Sequence, residues 1–161
     1  MWFTSLLARS LHGPRAALGT TLAMLAGSPL IYYAIVAPAY SHSLSAMGAS
    51  AFLLYWWNTR DRTDLRRYAA VGALAGLAAL IRWQDGLLLA TVLVDIVVHA
   101  RAGRLSRGRL ARFWLLRLAV AGAAALVVFT PQMIVWQALY GQPLIIPQGA
   151  GFVRWRRRAW T

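Results

Sequence analysis

The sequence contains no cysteine and no lysine, and only four of its 161 residues are acidic. The absence of cysteine excludes disulfide bonds and thiolate metal sites. The few carboxylates do not form an exposed catalytic pair, and neither a His-Glu-x-x-His pattern nor a phosphate-binding glycine loop is present. The sequence therefore predicts no cofactor and no metal ion, and by itself it assigns no catalytic residue.

Apolar residues are present in unusual excess. Hydrophobic residues make up 60% of the chain and charged residues 13%, whereas soluble domains average about 45–50% and 25%. Long apolar runs alternate with short arginine clusters, a pattern typical of membrane spans and their loops. This pattern predicts an all-α, polytopic transmembrane helical bundle with the lipid bilayer as its main partner.

The net charge of +13 raises the possibility of nucleic-acid binding. The basic residues, however, lie beside apolar runs, where topology signals of membrane proteins occur. No segment alternates basic and aromatic residues over a polar surface, as a single-strand binder would. We therefore expect no nucleic-acid partner, and the composition does not indicate an oligomeric state.

The apolar runs predict a single transmembrane domain over residues 1–161. Its spans are expected at about 16–37, 44–57, 68–81, 86–99 and 113–137. Ser28-Pro29 should bend or end the regular part of the first span. A signal peptide is the competing interpretation of that first run, although the run is long for a signal and further apolar runs follow it.

Residues 68–99 allow two interpretations. A single helix would be about 48 Å long at 1.5 Å per residue, against a hydrocarbon core of about 30 Å. It would also hold Arg82 and Asp85 near the bilayer centre, which is costly. We therefore favour two short spans that turn at residues 82–85, and the single helix remains the alternative. With this turn, the arginine-rich loops 58–67 and 99–112 would both be cytoplasmic.

Three polar segments are candidates for a substrate-binding site on the outer face. They are the loop 38–43, the turn 82–85 and the loop 138–152. An arginine can bind a phosphate, and an aspartate can orient that arginine or a sugar hydroxyl. We predict that these segments enclose one cavity, although they could equally be three separate solvated loops. The candidate binding residues are Tyr40, His42, Arg82, Gln84, Asp85 and Gln148.

Two further features lie inside the predicted spans. Asp95 and His99 are four residues apart and so share one helix face. They could form a proton relay, but the favoured interpretation is that Asp95 makes a hydrogen bond inside the bundle. The small residues between Gly72 and Ala79 predict close helix packing without a chemical role.

Three stretches resemble bacterial membrane glycosyltransferases of the GT-C superfamily, including the protein O-mannosyltransferase-like and lipid A aminoarabinose transferase-like groups. They are SPLIYYAIVAPAYSHSLSA at 28–46, GALAGLAALIRWQDGLLL at 72–89 and FTPQMIVWQALYGQPLIIPQGAGF at 129–152. The resemblance implies transfer of a sugar from a polyprenyl-phosphate donor in the cell envelope. It also implies a location in the bacterial inner (plasma) membrane, with the reaction on the outer face.

One departure from the family pattern concerns catalysis. The resemblance implies a catalytic carboxylate in the first outer loop, but PAYSHS at 38–43 has no acidic residue. We therefore expect the chain to be an internal part of a longer enzyme and to be inactive alone. The alternative is a non-enzymatic polytopic membrane protein, such as a subunit or a transport component.

Overall fold

The computed structural model describes residues 2–36, 41–101 and 107–145. Within these ranges the chain is helical and has no strand, which agrees with the predicted all-α class. Seven α-helices and one 3₁₀ helix are present in the described residues: α1 (Trp2–His12), α2 (Pro14–Gly27), α3 (Leu30–Ile35), α4 (His42–Asn58), α5 (Leu65–Ile81), the 3₁₀ helix Trp83–Ala90, α6 (Thr91–Arg101) and α7 (Arg107–Tyr140).

Local sequence signals account for several of these boundaries. Gly13 has φ 87° between α1 and α2, a conformation that glycine adopts without steric cost. Pro14 then begins α2, because a proline at the first helical position loses no hydrogen bond. The Ser28-Pro29 pair separates α2 from α3 as predicted.

The start of α5 has a side-chain cap. The carboxylate of Asp64 accepts a hydrogen bond from the backbone N–H of Arg67 at 3.0 Å, the usual role of an N-cap aspartate. This bond, together with the nearby Arg62 side chain, holds the pKa of Asp64 below its ordinary value. The cap fixes the direction in which α5 leaves the arginine-rich loop.

The prediction of a five-span bundle, with spans at 16–37, 44–57, 68–81, 86–99 and 113–137, is wrong. Among the described residues, one helix is long and apolar enough to cross a membrane. The first run is interrupted at Ser28-Pro29, and the fourth is divided between the 3₁₀ helix and α6. Helices α4 and α5 have 17 residues each, about 25 Å at 1.5 Å per residue.

The membrane-spanning candidate is the Ala111–Tyr140 part of α7, which covers the fifth predicted span. Its mean hydropathy is 2.0 and almost none of its most apolar window is buried inside the protein. Pro131 lies within α7 without ending it. The chain divides into two compact units, Met1–Phe129 and Thr130–Thr161. The described part of the second unit is the end of α7 and residues 141–145.

The core of the first unit is formed by α4, α5, α6 and α7. Phe52, Tyr68, Val71 and Val92 are fully buried there. Helix α5 approaches α7 through its glycines, because a Cβ on Gly72 would collide with the carbonyl oxygen of an α7 residue, Ala121. The predicted close packing of the small residues in α5 is thus present.

The chain leaves α5 at Arg82, whose backbone is extended. The 3₁₀ helix then returns along α5, since a Cβ on Gly86 would lie 3.6 Å from the Cβ of Ala79. Helix α4 runs antiparallel to α5, so that the start of α4 lies beside the turn at Arg82. Residues 68–99 therefore do not form one continuous helix, which was the alternative interpretation of this segment.

Candidate functional site

The site begins with a contact between Arg82 and His42, which are 40 residues apart. One guanidinium nitrogen of Arg82, Nη1, lies 2.9 Å from Nδ1 of His42. A guanidinium can only donate hydrogen bonds, so Nδ1 must be the acceptor.

This contact leaves the charge of Arg82 without a counter-ion. The ion pairs within the described ranges are Arg62–Asp64 and Arg67–Asp95, and neither involves Arg82. The half-buried guanidinium of Arg82 keeps its positive charge and several N–H donors available. Such a group binds phosphate or carboxylate oxygens well.

Asp85 lies on the same turn but is oriented by a different residue. The Oγ of the buried Ser45 donates to the Asp85 carboxylate at 2.5 Å, and the Asp85 backbone N–H donates to the Arg82 carbonyl at 2.8 Å. The sequence left two roles open for Asp85, orienting Arg82 or binding a sugar hydroxyl. The described residues contain no Asp85–Arg82 ion pair, so the first role has no support.

A groove continues from this turn along the 3₁₀ helix and the start of α6. It has a volume of about 370 Å³, with Gln84 and Asp85 at its polar edge and mostly apolar side chains, among them Leu87, Leu88 and Val94, along the rest. A polar group and an apolar chain of one amphipathic molecule could thus lie side by side.

Four of the six sequence-predicted binding residues fall within the described residues. His42 contacts Arg82, while Gln84 and Asp85 line the adjoining groove. The other two, Tyr40 and Gln148, lie outside the described residues. A substrate-binding role for the set stays a prediction.

Two residues of the site were missed by sequence reasoning. The ring of Tyr33 packs on His42 with ring centres 4.4 Å apart, and Ser45 binds Asp85. Ser45 follows His42 by three residues and so shares its helix face, a signal that could have identified it. Tyr33 belongs to another helix, and no spacing links it to His42.

A second polar cluster lies at the other end of α4, and its Arg67, Tyr68 and Asp95 are buried. Arg67 donates from Nη1 to Asp95 at 2.5 Å, and the carboxylate also accepts from Trp56 Nε1 at 3.1 Å and Tyr68 OH at 3.2 Å. The ring of His99 bonds instead to the Asp95 backbone carbonyl at 2.8 Å. The Asp95 and His99 side chains are therefore not joined as a proton relay would require, and a packing role for Asp95 accounts for the geometry.

No group of three or more candidate metal ligands occurs among the described residues. No family model matches the chain, and no curated protein or solved structure matches it. The chemical interpretation of the site therefore depends on its own geometry.

Proposed function

We propose that the Arg82 turn binds the phosphate of a polyprenyl-phosphate-linked sugar, and that the chain is part of a membrane glycosyltransferase. The observation that carries this proposal is that Arg82, which has no ion pair within the described residues, lies three residues before Asp85 at the polar edge of an apolar groove. A lipid-linked sugar phosphate has one anionic group between an apolar chain and a polyhydroxyl ring. The three parts match Arg82, the groove and the polar edge at Gln84 and Asp85.

The role of each residue follows from its contacts. Arg82 provides charge-assisted hydrogen bonds to phosphate oxygens, and His42 orients its guanidinium through the 2.9 Å contact. Asp85 is not neutralised by Arg82, so its carboxylate can accept a hydrogen bond from a sugar hydroxyl. Ser45 holds that carboxylate in position. The leucine side chains of the groove contact the first part of the isoprenoid chain.

The proposed location is the bacterial inner membrane. One long apolar helix, α7, supports membrane association. A lipid-linked donor remains in the bilayer because its hydrocarbon chain is strongly apolar, and a protein that binds it must meet it at the membrane surface. The family resemblance supplies the choice of the bacterial inner membrane.

The test is direct binding of a polyprenyl-phosphate sugar, labelled in the sugar, to the purified chain in phosphatidylcholine nanodiscs. Arg82→Gln should weaken binding about 10- to 100-fold, because hydrogen bonds to charged groups contribute about 1.5–3 kcal/mol. His42→Leu should cause a smaller loss, since the guanidinium remains but is no longer oriented. Asp85→Asn should reduce the preference for the sugar phosphate over the same lipid phosphate without sugar.

Arg66→Gln is the matched control. Arg66 is an exposed arginine near the start of α5, the helix that ends just before Arg82, and its replacement changes the net charge by the same amount. Binding should be unchanged in this variant. Equal affinities of the Arg82 and Arg66 variants would show that Arg82 does not contact the phosphate.

A further inference from the structure

A second cavity lies near the other end of α4 and shares one lining residue, Val94, with the groove described above. Its volume is about 330 Å³, and Trp56, Trp57, Arg60 and Asp61 contribute to its lining. Trp56 follows Ser45 by 11 residues, a separation of about 16 Å along the helix axis. The charged groups of this cavity are thus separate from Arg82, and the two sites meet only at the apolar Val94.

Arg60 places an oriented cation at this cavity. Its guanidinium carbon lies 4.3 Å from the centre of the Trp57 ring, and Nη1 donates to the Trp57 carbonyl at 3.0 Å. These two contacts limit the orientations of the side chain. Neither ion pair within the described ranges includes Arg60, so its remaining donors can bind an external anion.

A carboxylate, that of Asp61, belongs to the residue that directly follows Arg60. Asp61 is exposed and lines the same cavity, and it makes no ion pair within the described parts of the chain. Asp95 also borders the cavity, but both of its oxygens are already bonded to Arg67, Tyr68 and Trp56. Asp61 therefore provides the available negative charge, and its Cα is about 3.8 Å from that of Arg60.

The rest of the wall consists of two valines and the ring of His99, whose Nδ1 is hydrogen-bonded to the Asp95 backbone carbonyl. Val94 and Val98 line it and are 47% and 59% exposed. The two valines lie beside one cation, Arg60, and one carboxylate, Asp61. This combination matches a molecule with a zwitterionic head and an apolar body. A simple anion would be repelled by Asp61, and a simple cation would be repelled by Arg60.

We infer that this cavity binds the headgroup of a zwitterionic phospholipid that carries a primary ammonium group, a phosphoethanolamine headgroup. The phosphate accepts hydrogen bonds from Arg60, and the ammonium donates to Asp61. The acyl chains leave along Val94 and Val98. A primary ammonium has three N–H donors, whereas the quaternary ammonium of choline has none, so the site distinguishes the two headgroups.

The test is native mass spectrometry of the full chain in detergent, titrated separately with phosphatidylethanolamine, phosphatidylcholine, phosphatidylglycerol and inorganic phosphate. We expect phosphatidylethanolamine to bind at least about tenfold more tightly than phosphatidylcholine, the effect of one charge-assisted hydrogen bond. Inorganic phosphate should not compete with it. Stronger binding of phosphatidylglycerol, or equal binding of the ethanolamine and choline lipids, would overturn the inference.

Two variants separate the roles of the charges. Asp61→Asn should lose the discrimination between ethanolamine and choline, while Arg60→Gln should weaken the binding of both lipids. Arg66→Gln, which removes an exposed arginine outside the cavity lining, should behave like the unchanged protein. If the Asp61 variant keeps the unfolding midpoint of the unchanged protein and also keeps its headgroup preference, the lipid binds elsewhere.

Discussion

The buried Arg67–Asp95 pair provides a quantitative test of the packing of α4, α5 and α6. The side chains of Arg67 and Asp95 are 0% and 5% exposed. Besides Asp95, the guanidinium also donates to Thr59 Oγ1 at 3.1 Å. Arg67→Met leaves the carboxylate buried without a cation, and Asp95→Leu leaves the guanidinium buried without an anion.

The expected cost follows from this burial. Removal of one partner from a buried ion pair typically destabilises a protein by about 3–5 kcal/mol. Asp95→Leu should lie at the upper end of that range, because it also leaves the Trp56 and Tyr68 donors without their acceptor. The Arg67→Met/Asp95→Leu double variant has no unpaired charge, so its loss should be smaller than the sum of the two single losses by about 2 kcal/mol or more.

The assay is equilibrium unfolding of the four proteins in mixed micelles, followed by tryptophan fluorescence. Trp56, one of the eight tryptophans in the chain, binds Asp95 directly through its indole N–H. The free energy of unfolding is obtained from the transition midpoint and slope. Arg62→Met is the control, since the Arg62 and Asp64 side chains are 59% and 43% exposed and exposed pairs contribute little.

Two results would refute the reasoning. One is a loss below about 1 kcal/mol in both single variants, which would mean that water reaches the pair. The other is additivity within about 0.5 kcal/mol, which would mean that the two residues do not interact.

Three further predictions concern other parts of the molecule. Gly72→Ala should destabilise the protein by about 1–3 kcal/mol in the same unfolding assay, because the added Cβ would collide with the α7 backbone. Gly122→Ala, whose Cβ meets nothing within 4 Å, is the control and should be neutral or stabilising. Equal effects of the two variants would contradict the α5–α7 contact. Asp64 has a lowered pKa in the folded state, so its contribution to stability should be present above the ordinary pKa of aspartate and be lost as pH falls through the lowered value. The thermal unfolding midpoints of the wild type and of Asp64→Asn should therefore converge in acid. A difference between the two midpoints that stays constant with pH would contradict this. Val127→Arg, near the middle of the spanning candidate, should make the free energy of α7 insertion in a membrane-integration assay less favourable by about 2.5–3.5 kcal/mol. Tyr140→Arg, at the end of the candidate, should change this free energy much less. Equal effects of the two variants would argue against insertion of this helix.

The polar turn shows how far the candidate site could be predicted from sequence. The residue types at 82–85 and 42 indicated an anion-binding group, and they lie together in the structure. Their partners could not be predicted, because His42–Arg82 and Ser45–Asp85 join positions 40 residues apart. Helical spacing relates residues within one helix, but it does not relate a residue to one on another helix.

The failed span prediction has a related cause. An apolar run records composition, whereas a span requires one unbroken helix of about 20 residues. Ser28-Pro29 was a visible interruption, but the division of 86–99 into a 3₁₀ helix and α6 had no such signal. Only α7 combined apolar composition with sufficient continuous length among the described residues.

By itself, the sequence determined the helical class, the apolar exterior of α7, the glycine face of α5 and the break at Arg82, because each depends on neighbouring residues. The tertiary structure alone decided which charges are paired. Arg67 belongs to the predicted arginine-rich loop 58–67, which indicated only topology, yet in the structure it lies in α5 and is completely buried against Asp95, 28 residues later. Arg60, in the same predicted loop, makes no ion pair within the described part of the chain. The difference arises because the desolvation and pairing of a charge depend on the helices that pack around it.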